Sequence, residues 1–222
     1  MTTTGDEPAL AAEIFGELLP QARAYADLLA GIGVQRGLIG PREADRLWER
    51  HLLNCAVVGD LIHPAASVLD VGSGAGLPGI PLALARPDVS VTLLEPMARR
   101  VAFLTEVVSD LGLANVVIVR GRAEDGAVRR LLGTSQVVTA RAVAGLDRLA
   151  GWCLPLLAPT GELLALKGAS AQAELDAARV ALRAVGAASA EVVRCGVGVL
   201  PTPTTVVRVV AGSRPGGPRH GG

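Results

Sequence analysis

The sequence predicts an α/β fold in which helices cover both faces of a mostly parallel sheet. From about residue 67 onward, short apolar segments alternate with helical patterns of roughly ten to fifteen residues, which is typical of such sheets. The last two apolar segments have no helical pattern between them, which predicts an antiparallel hairpin at the sheet edge. With 222 residues the chain accommodates one such domain with a full core and a small appendage.

Two helices are predicted before the first strand. Residues 8–31 place apolar side chains at helical spacing, and Gly31 and Gly33 are expected to end that helix. Pro41 opens a second helix, "PREADRLWERHLLNC", at a first-turn position where the missing N–H costs little. These helices define a predicted N-terminal helical extension over residues 1–64.

Residues 65–212 are predicted to form the sheet and its covering helices. The expected order is "SVLDV", a helix over 77–86, "VSVTLLE", "PMARRVAFLTEVVSDLGL", "VVIV", a helix near 123–132, "QVVTA", a helix near 144–157, "GELLALKG" and "SAQAELDAARVALRAVG". Strands near 190–196 and 204–211, joined by "GVGVLPTP", complete a seven-stranded sheet. The Gly- and Pro-rich residues 213–222 are predicted to be a disordered tail.

Composition restricts the compartment and the class of ligand. No stretch of about twenty residues lacks charge or helix breakers, so no membrane span is expected, and the polar N-terminus does not resemble a secretory signal. The three cysteines and three histidines show neither disulfide nor metal-ligand spacing. The sequence therefore predicts a cytoplasmic protein without a metal ion. Because the net charge is zero, any nucleic-acid surface has to be a local patch.

The segment "LDVGSGAGLPGIPLAL" predicts a ligand-binding turn between the first strand and its helix. Gly74, Gly76 and Gly79 match G-x-G-x-x-G, and Glu95 follows about twenty residues later, a pattern that dinucleotide-dependent oxidoreductases share. Asp70 lies two residues before Gly72, where a carboxylate disfavours a pyrophosphate but suits the ammonium and sulfonium groups of S-adenosylmethionine.

The motif "DVGSGAG" is the pattern of methyltransferases that use S-adenosylmethionine, and their sheets typically end in the antiparallel hairpin described above. The predicted fold is therefore the Rossmann-like, class I methyltransferase fold, with an NAD-dependent oxidoreductase as the alternative. Gly72 and Leu77 are expected to offer backbone donors to the methionine end of the cofactor, and Glu95 to bind the ribose hydroxyls. Ala123 and Glu124 in "GRAED" are expected beside the adenine.

Motifs for several methyl acceptors are missing. The loop after the fourth strand reads "TARAVAG" instead of the Asn/Asp-Pro-Pro-aromatic sequence typical of exocyclic amine methylation. Cys153 and Cys195 lack the context of a pyrimidine-attacking thiolate, and Cys153 is interpreted as a core residue. An acceptor that is already nucleophilic, such as guanine N7, remains.

Six motifs resemble those of the bacterial 16S ribosomal RNA guanine-N7 methyltransferases, the family also called glucose-inhibited division protein B. The resemblance spans about residues 9–170 and rests on "PREADRLWERHLLNC", "LDVGSGAGLPGIPLAL", "LLEPMARRVAFL", "RGRAED", "TARAVAGL" and "LLALKG". It implies S-adenosylmethionine-dependent methylation of guanine 527 in the decoding region of 16S rRNA, with the small ribosomal subunit as partner. A monomer is expected. The resemblance places cofactor contacts at Gly72, Leu77, Ala123, Glu124 and Arg141, and RNA-binding or catalytic cations at Arg99, Arg100, Arg122 and Lys167.

The chain departs from the family at one position. An arginine often precedes the last strand of the family, whereas this chain has Pro201–Thr205 there. Either Arg194 or Arg208 replaces that arginine, or the contact is absent.

The basic residues differ in how strongly the sequence favours a role in catalysis or RNA binding. Of the 21 basic residues 20 are arginine, so the single lysine, Lys167 at the end of the fifth strand, is a candidate catalytic residue together with Arg141 at the end of the fourth. Arg46 and Arg50 share a helical face that either binds RNA or pairs with neighbouring glutamates. Phe103 and Trp152 are interpreted as core, which leaves no aromatic platform for a flipped base. A non-catalytic RNA-binding protein that retains the cofactor is the second alternative.

Overall fold

The computed structural model describes residues 7–213 and contains one seven-stranded sheet. Its strands are β1 Ser67–Val71, β2 Ser90–Glu95, β3 Val116–Arg120, β4 Ser135–Arg141, β5 Leu157–Lys167, β6 Ala187–Cys195 and β7 Thr204–Ala211. They lie in the order β3-β2-β1-β4-β5-β7-β6. β1 to β5 are parallel, and β7 is antiparallel to both β5 and β6. The predicted fold class, including the antiparallel edge hairpin, is confirmed.

Eight α-helices accompany the strands in the described part of the chain. Their bounds are α1 Leu10–Phe15, α2 Leu19–Leu28, α3 Asn54–Ala56, α4 Gly79–Ala85, α5 Ala98–Asp110, α6 Gly126–Leu132, α7 Leu146–Cys153 and α8 Ala171–Ala184. Each of α4 to α8 begins within four residues of its predicted start. None of the helices within residues 7–213 has the length and apolar character needed to cross a membrane.

The N-terminal helices are less regular than predicted. A 3₁₀ turn, Gly16–Leu18, joins α1 to α2, and a π-helical turn, Leu29–Gly33, extends α2 beyond its predicted end. Val34 keeps helical dihedral angles, so Gly33 does not end the helix. From Pro41 the chain again winds in 3₁₀, π and α turns as far as Leu61. Pro41 occupies the first turn of this segment, as predicted.

An apolar layer fills each face of the sheet. The N-terminal helices share one continuous core with α4 and α5, in which Tyr25, Leu52, Ile80 and Phe103 are buried. The helices α7 and α8 cover the opposite face. The boundary near residue 64 stays a prediction, because the segments on its two sides bury their apolar surface against each other. Residues 214–222 of the predicted tail lie outside the described residues.

The strand order places a ligand site at one particular edge of the sheet. β1 pairs with β2 on one side and with β4 on the other, so the order of strands reverses there. In open α/β sheets ligands bind outside the carboxyl ends of the strands at such a switch point.

Candidate active site

The glycine turn after β1 needs glycine for its backbone conformation. Gly72, Gly74 and Gly76 have φ angles of 72°, 60° and 102°, which lie in the left-handed region that glycine adopts without strain. A Cβ on Gly76 would clash with Ile80 Cδ1. Tyr25 of α2 donates its hydroxyl to the Ala75 carbonyl at 2.9 Å, so the N-terminal helices hold the turn in place.

The backbone donors of the turn are already used within the protein. The Gly72 N–H donates to the Leu94 carbonyl at 2.8 Å, and the Leu77 N–H donates to the Ser73 carbonyl at 3.0 Å. The expectation that Gly72 and Leu77 offer N–H donors to a ligand is therefore wrong, because the turn needs them for its own shape. Among residues 7–213 nothing donates to the Gly72 carbonyl oxygen, which leaves an acceptor instead.

Asp70 stabilises the turn from beneath and does not face the cleft. Its side chain is fully buried, and its oxygens accept the Thr139 hydroxyl at 3.0 Å and the Gly79 N–H at 3.2 Å. The carboxylate thus joins β1 to β4 and to the start of α4. Burial raises the pKa of Asp70 to about 6.

The raised pKa gives a testable dependence of stability on pH. Because the folded pKa of Asp70 exceeds the unfolded one, folding favours the protonated carboxyl, and this contribution is lost as pH rises from about 4 to about 6. Asp70→Asn removes the titration. We expect its free energy of unfolding, relative to the unsubstituted protein, to improve by about 2–3 kcal/mol between pH 4 and pH 7.5. Urea denaturation without ligand measures this, and a pH-independent difference would contradict it.

A cleft of about 230 Å³ opens beside the turn at the ends of β1, β2 and β3. It brings together four predicted site residues: Gly72, Arg122, Ala123 and Glu124. Trp152 also lines this cleft; its side chain is half-buried and packs against the core on this face, so its interpretation as a core residue holds in part. The helical period explains this, because neighbouring Cys153 occupies the buried face of α7. Phe103, by contrast, is buried as predicted.

Glu95 connects the glycine turn to the end of β2. Its side chain is fully buried; one carboxylate oxygen accepts the Gly74 N–H and the other the Met97 N–H, both at 2.9 Å. Arg100 lies 3.7 Å from the same carboxylate. A ligand hydroxyl that binds Glu95 therefore has to share these oxygens with the backbone.

A second cavity, of about 850 Å³, lies beyond the ends of β4, β5 and β6. Four cationic side chains line it, and we call it the cationic cavity: Arg50, Arg141, Lys167 and Arg194. Arg141 and Ala142 line this cavity, whereas Val143 lines the smaller cleft. The two cavities thus lie on either side of the end of β4.

Arg141 faces the cationic cavity instead of the smaller cleft, where a cofactor contact was expected. Its guanidinium donates to Cys55 Sγ at 3.2 Å, to the Arg50 carbonyl at 3.3 Å and to His51 Nδ1 at 2.7 Å. His51 Nε2 lies 2.9 Å from a carboxylate oxygen of Glu43. The N-terminal segment therefore holds this arginine through three hydrogen bonds.

His51 is neutral at physiological pH. Burial and the neighbouring Arg141 lower the pKa of the imidazole to about 4. Nδ1 therefore accepts from Arg141 while Nε2 donates to Glu43. The sequence offered no reason to connect His51 with Arg141, because 90 residues separate them.

Lys167 and Arg194 lie in one row across the sheet. Lys167 pairs in register with Thr205 of β7, and Thr205 pairs with Arg194 of β6. Lys167 Nζ donates to the Ala144 carbonyl at 3.0 Å and lies 2.7 Å from Glu174 Oε2. Arg194 is exposed at the cavity.

Arg208 lies deeper in the sheet and outside this row. Its guanidinium forms ion pairs with Glu162 and Glu191 on the neighbouring strands. These pairs hold the pKa of Arg208 above its usual value, and the side chain does not line the cationic cavity.

The remaining predicted RNA-binding arginines lie at different places on the protein. Arg46 lines a separate cavity of about 460 Å³ between α1 and the β6–β7 connection, where Arg50 also contributes. Arg50 lies 3.5 Å from Glu43, the type of pairing considered for this helical face. Arg99 and Arg100 lie at the start of α5 and line neither the cleft nor the cationic cavity.

The thiols of the described residues are poor nucleophiles. Cys55, Cys153 and Cys195 are free and buried. Burial raises the pKa of Cys153 to about 12, and of Cys55 and Cys195 to about 11. Over residues 7–213 no cluster of three or more His, Cys, Asp or Glu side chains suits a metal ion.

The family follows from a comparison with known proteins. The model of the family described as rRNA small subunit methyltransferase G matches residues 18–199. The chain belongs to this family.

Curated relatives and solved structures agree with this membership. Relatives named ribosomal RNA small subunit methyltransferase G include one from Streptomyces avermitilis, 58% identical over 96% of this chain and 88% of its own length, and one from Mycobacterium sp. (strain JLS), 57% identical over 90% and 88%. Two solved structures share the fold. The structure of M. jannaschii TYW2 in complex with AdoMet has a TM-score of 0.57 at 16% identity, covering 76% of this chain and 78% of its own. A predicted O-methyltransferase from Agrobacterium tumefaciens has a TM-score of 0.57 at 18% identity, covering 72% and 82%.

Proposed function

We propose that this member of the rRNA small subunit methyltransferase G family transfers a methyl group from S-adenosylmethionine to N7 of guanine 527 in 16S rRNA. One observation carries the proposal. The cleft beside the glycine turn and the cationic cavity lie on opposite sides of the end of β4. A cofactor in the first and a nucleotide in the second would meet there.

The residues around the cleft suit S-adenosylmethionine. The buried charge of Asp70 and the open carbonyl of Gly72 favour a cationic methionine end, while Gly74 and Gly76 keep the turn close to it. We assign the ribose hydroxyls to Glu95, whose buried carboxylate would share its oxygens between them and the Gly74 and Met97 N–H groups.

The adenine end fits the opposite wall of the cleft. Ala123 and Glu124 supply a backbone edge and a carboxylate there, and Trp152 supplies an apolar wall. When bound, the cofactor supplies a methyl group on a positively charged sulfur.

Guanine N7 requires no base, because its lone pair is free before the reaction. The chain then has to orient the guanine and exclude water. Arg141 and Lys167, held rigidly at the ends of β4 and β5, are the residues that we assign to this alignment. The buried, protonated thiols of the described residues favour direct transfer over a covalent enzyme intermediate.

The remaining cations are assigned to the RNA backbone. Arg50 and Arg194 lie at the mouth of the cationic cavity, and Arg122 lies at the cleft. Arg46, Arg99 and Arg100 would contact phosphates farther along the RNA. Arg194 supplies the arginine missing at Pro201–Thr205, because it pairs in register with Thr205.

The assignment of Arg194 predicts different effects for two arginines of neighbouring strands. Arg194→Ala is expected to weaken binding to the small ribosomal subunit about 5- to 50-fold and to reduce its salt dependence. Arg208→Ala should leave RNA affinity unchanged and lower stability, because Glu162 loses its partner. Filter binding at several salt concentrations, with urea denaturation, measures both effects. Equal RNA affinities for the two variants would contradict the assignment.

Transfer from radiolabelled S-adenosylmethionine to small ribosomal subunits that lack the modification tests the proposed function. Label in 16S rRNA is expected. Binding of cofactor and subunit without transfer would favour a non-catalytic RNA-binding protein. Tight binding of NADH without affinity for S-adenosylmethionine would favour a dinucleotide-dependent oxidoreductase.

A further inference from the structure

Lys167 has one hydrogen-bond donor left for a ligand. A lysine ammonium carries three N–H donors. Within residues 7–213, one reaches the Ala144 carbonyl at 3.0 Å and another the Glu174 carboxylate at 2.7 Å. The side chain is only 11% exposed, and it lines the cationic cavity. The third N–H is thus the single donor that Lys167 has left for an occupant of this cavity.

The surroundings of Lys167 favour a base over a phosphate. Glu174 offsets the charge of the ammonium, and its carboxylate would repel a phosphate bound alongside. Arg194, in the same cross-strand row, is exposed and lies at the cavity mouth, where a phosphate can approach. In this row, Lys167 therefore offers one N–H donor, its charge offset by Glu174, inside the cationic cavity. Arg194 offers its cationic guanidinium at the mouth of the cavity.

The edge of guanine explains why a lysine stands here in a chain that otherwise uses arginine. Guanine presents two adjacent acceptors, O6 and N7, and an arginine fork binds both at once. Such a fork would occupy the N7 lone pair that has to receive the methyl group. A single N–H can bind O6 and leave N7 free.

We propose that the remaining N–H of Lys167 donates to O6 of the target guanine and thereby selects guanine over adenine. The inference rests on the proposed function, since it assumes that N7 is the acceptor. Adenine also offers an N7 lone pair, but it carries an amino group in place of O6, so two donors would face each other. Lys167 is thus a specificity-determining residue, and Glu174 and Ala144 position it.

The test uses small subunits reconstituted with a single altered base at the target position. For the unsubstituted protein we expect transfer to guanine and, within about threefold, to hypoxanthine, which keeps O6 and N7. Transfer to 2,6-diaminopurine, which keeps N7 but has a 6-amino group, should fall at least about 100-fold. 7-Deazaguanine, which lacks N7, should receive no methyl group.

Two variants distinguish the single N–H donor of Lys167 from its positive charge. Lys167→Met should lose about 100-fold in transfer to guanine, and its preference for guanine over 2,6-diaminopurine should collapse to within about fivefold. Lys167→Arg should not restore transfer to guanine, because its fork also covers N7. Calorimetric titration with S-adenosylmethionine checks that both variants fold, and we expect an unchanged affinity.

The outcomes distinguish the inference from the function on which it rests. A Lys167→Met variant that keeps the full preference for guanine, or a Lys167→Arg variant as active as the unsubstituted protein, would overturn the role of Lys167 alone. Transfer to 7-deazaguanine, or none to guanine, by the unsubstituted protein would overturn the proposed N7 chemistry and the inference together.

Discussion

Gly72→Val is expected to weaken binding of S-adenosylmethionine at least about 100-fold and to abolish methyl transfer. Gly72 lines the cleft, and a Cβ there would lie 2.9 Å from Val143 Cγ2, on the wall between the cleft and the cationic cavity. The branched side chain would fill space that the cofactor needs and tilt the free carbonyl of residue 72. Calorimetric titration with S-adenosylmethionine measures the effect.

Gly133→Val is the matched control for Gly72→Val. Gly133 has a φ of 65°, close to the 72° of Gly72, but a Cβ there meets no atom within 4 Å. Both variants therefore place a branched residue at a positive φ and carry backbone strain of at least about 1 kcal/mol, which thermal denaturation measures. Only Gly72→Val should lose cofactor affinity. Equal affinities in the two variants would show that the cleft is not the cofactor site.

Arg141→Ala is expected to lower methyl transfer about 1000-fold while changing cofactor affinity less than about threefold. The guanidinium lies at the cationic cavity and not at the cleft, so its loss should affect alignment of the acceptor. His51→Leu should lower transfer about 10- to 100-fold, because it removes the Nδ1 acceptor that orients Arg141 at 2.7 Å. Single-turnover rates with saturating subunit measure both effects.

His63→Leu is the control for His51→Leu. His63 is exposed and lines none of the described cavities. In the Arg141→Ala background, His51→Leu should have little further effect, since its contribution acts through that arginine. Additive losses in the double variant would contradict a positioning role for His51.

The strand pattern was predictable because the central strands, such as β1 and β4, are short apolar runs that are largely buried on both faces. "SVLDV" coincides with the observed β1, and the glycine turn occurs where the spacing predicted it. The N-terminal helices were less predictable. The 3₁₀ and π turns interrupt the regular 3.6-residue spacing of their apolar side chains. Gly33 was therefore predicted to end the helix, although the helix continues through it.

The contacts that complete the site join residues far apart in the chain. Tyr25 reaches Ala75 across 50 positions, and His51 reaches Arg141 across 90. No local spacing encodes such pairs. The charge of Asp70 was noted from the sequence, but its burial beneath the turn depends on Thr139 of a neighbouring strand. The burial of a side chain at a helix end, as at Trp152, is likewise decided by tertiary packing.

Mapping the methylated atom tests the central claim most directly. After transfer of labelled methyl groups to unmodified small subunits, 16S rRNA is treated to cleave at 7-methylguanine, and the fragments are sized. Our account predicts one labelled site, with cleavage at guanine 527. Label without cleavage, or cleavage at other guanines, would contradict the assignment of N7 of guanine 527 as the acceptor.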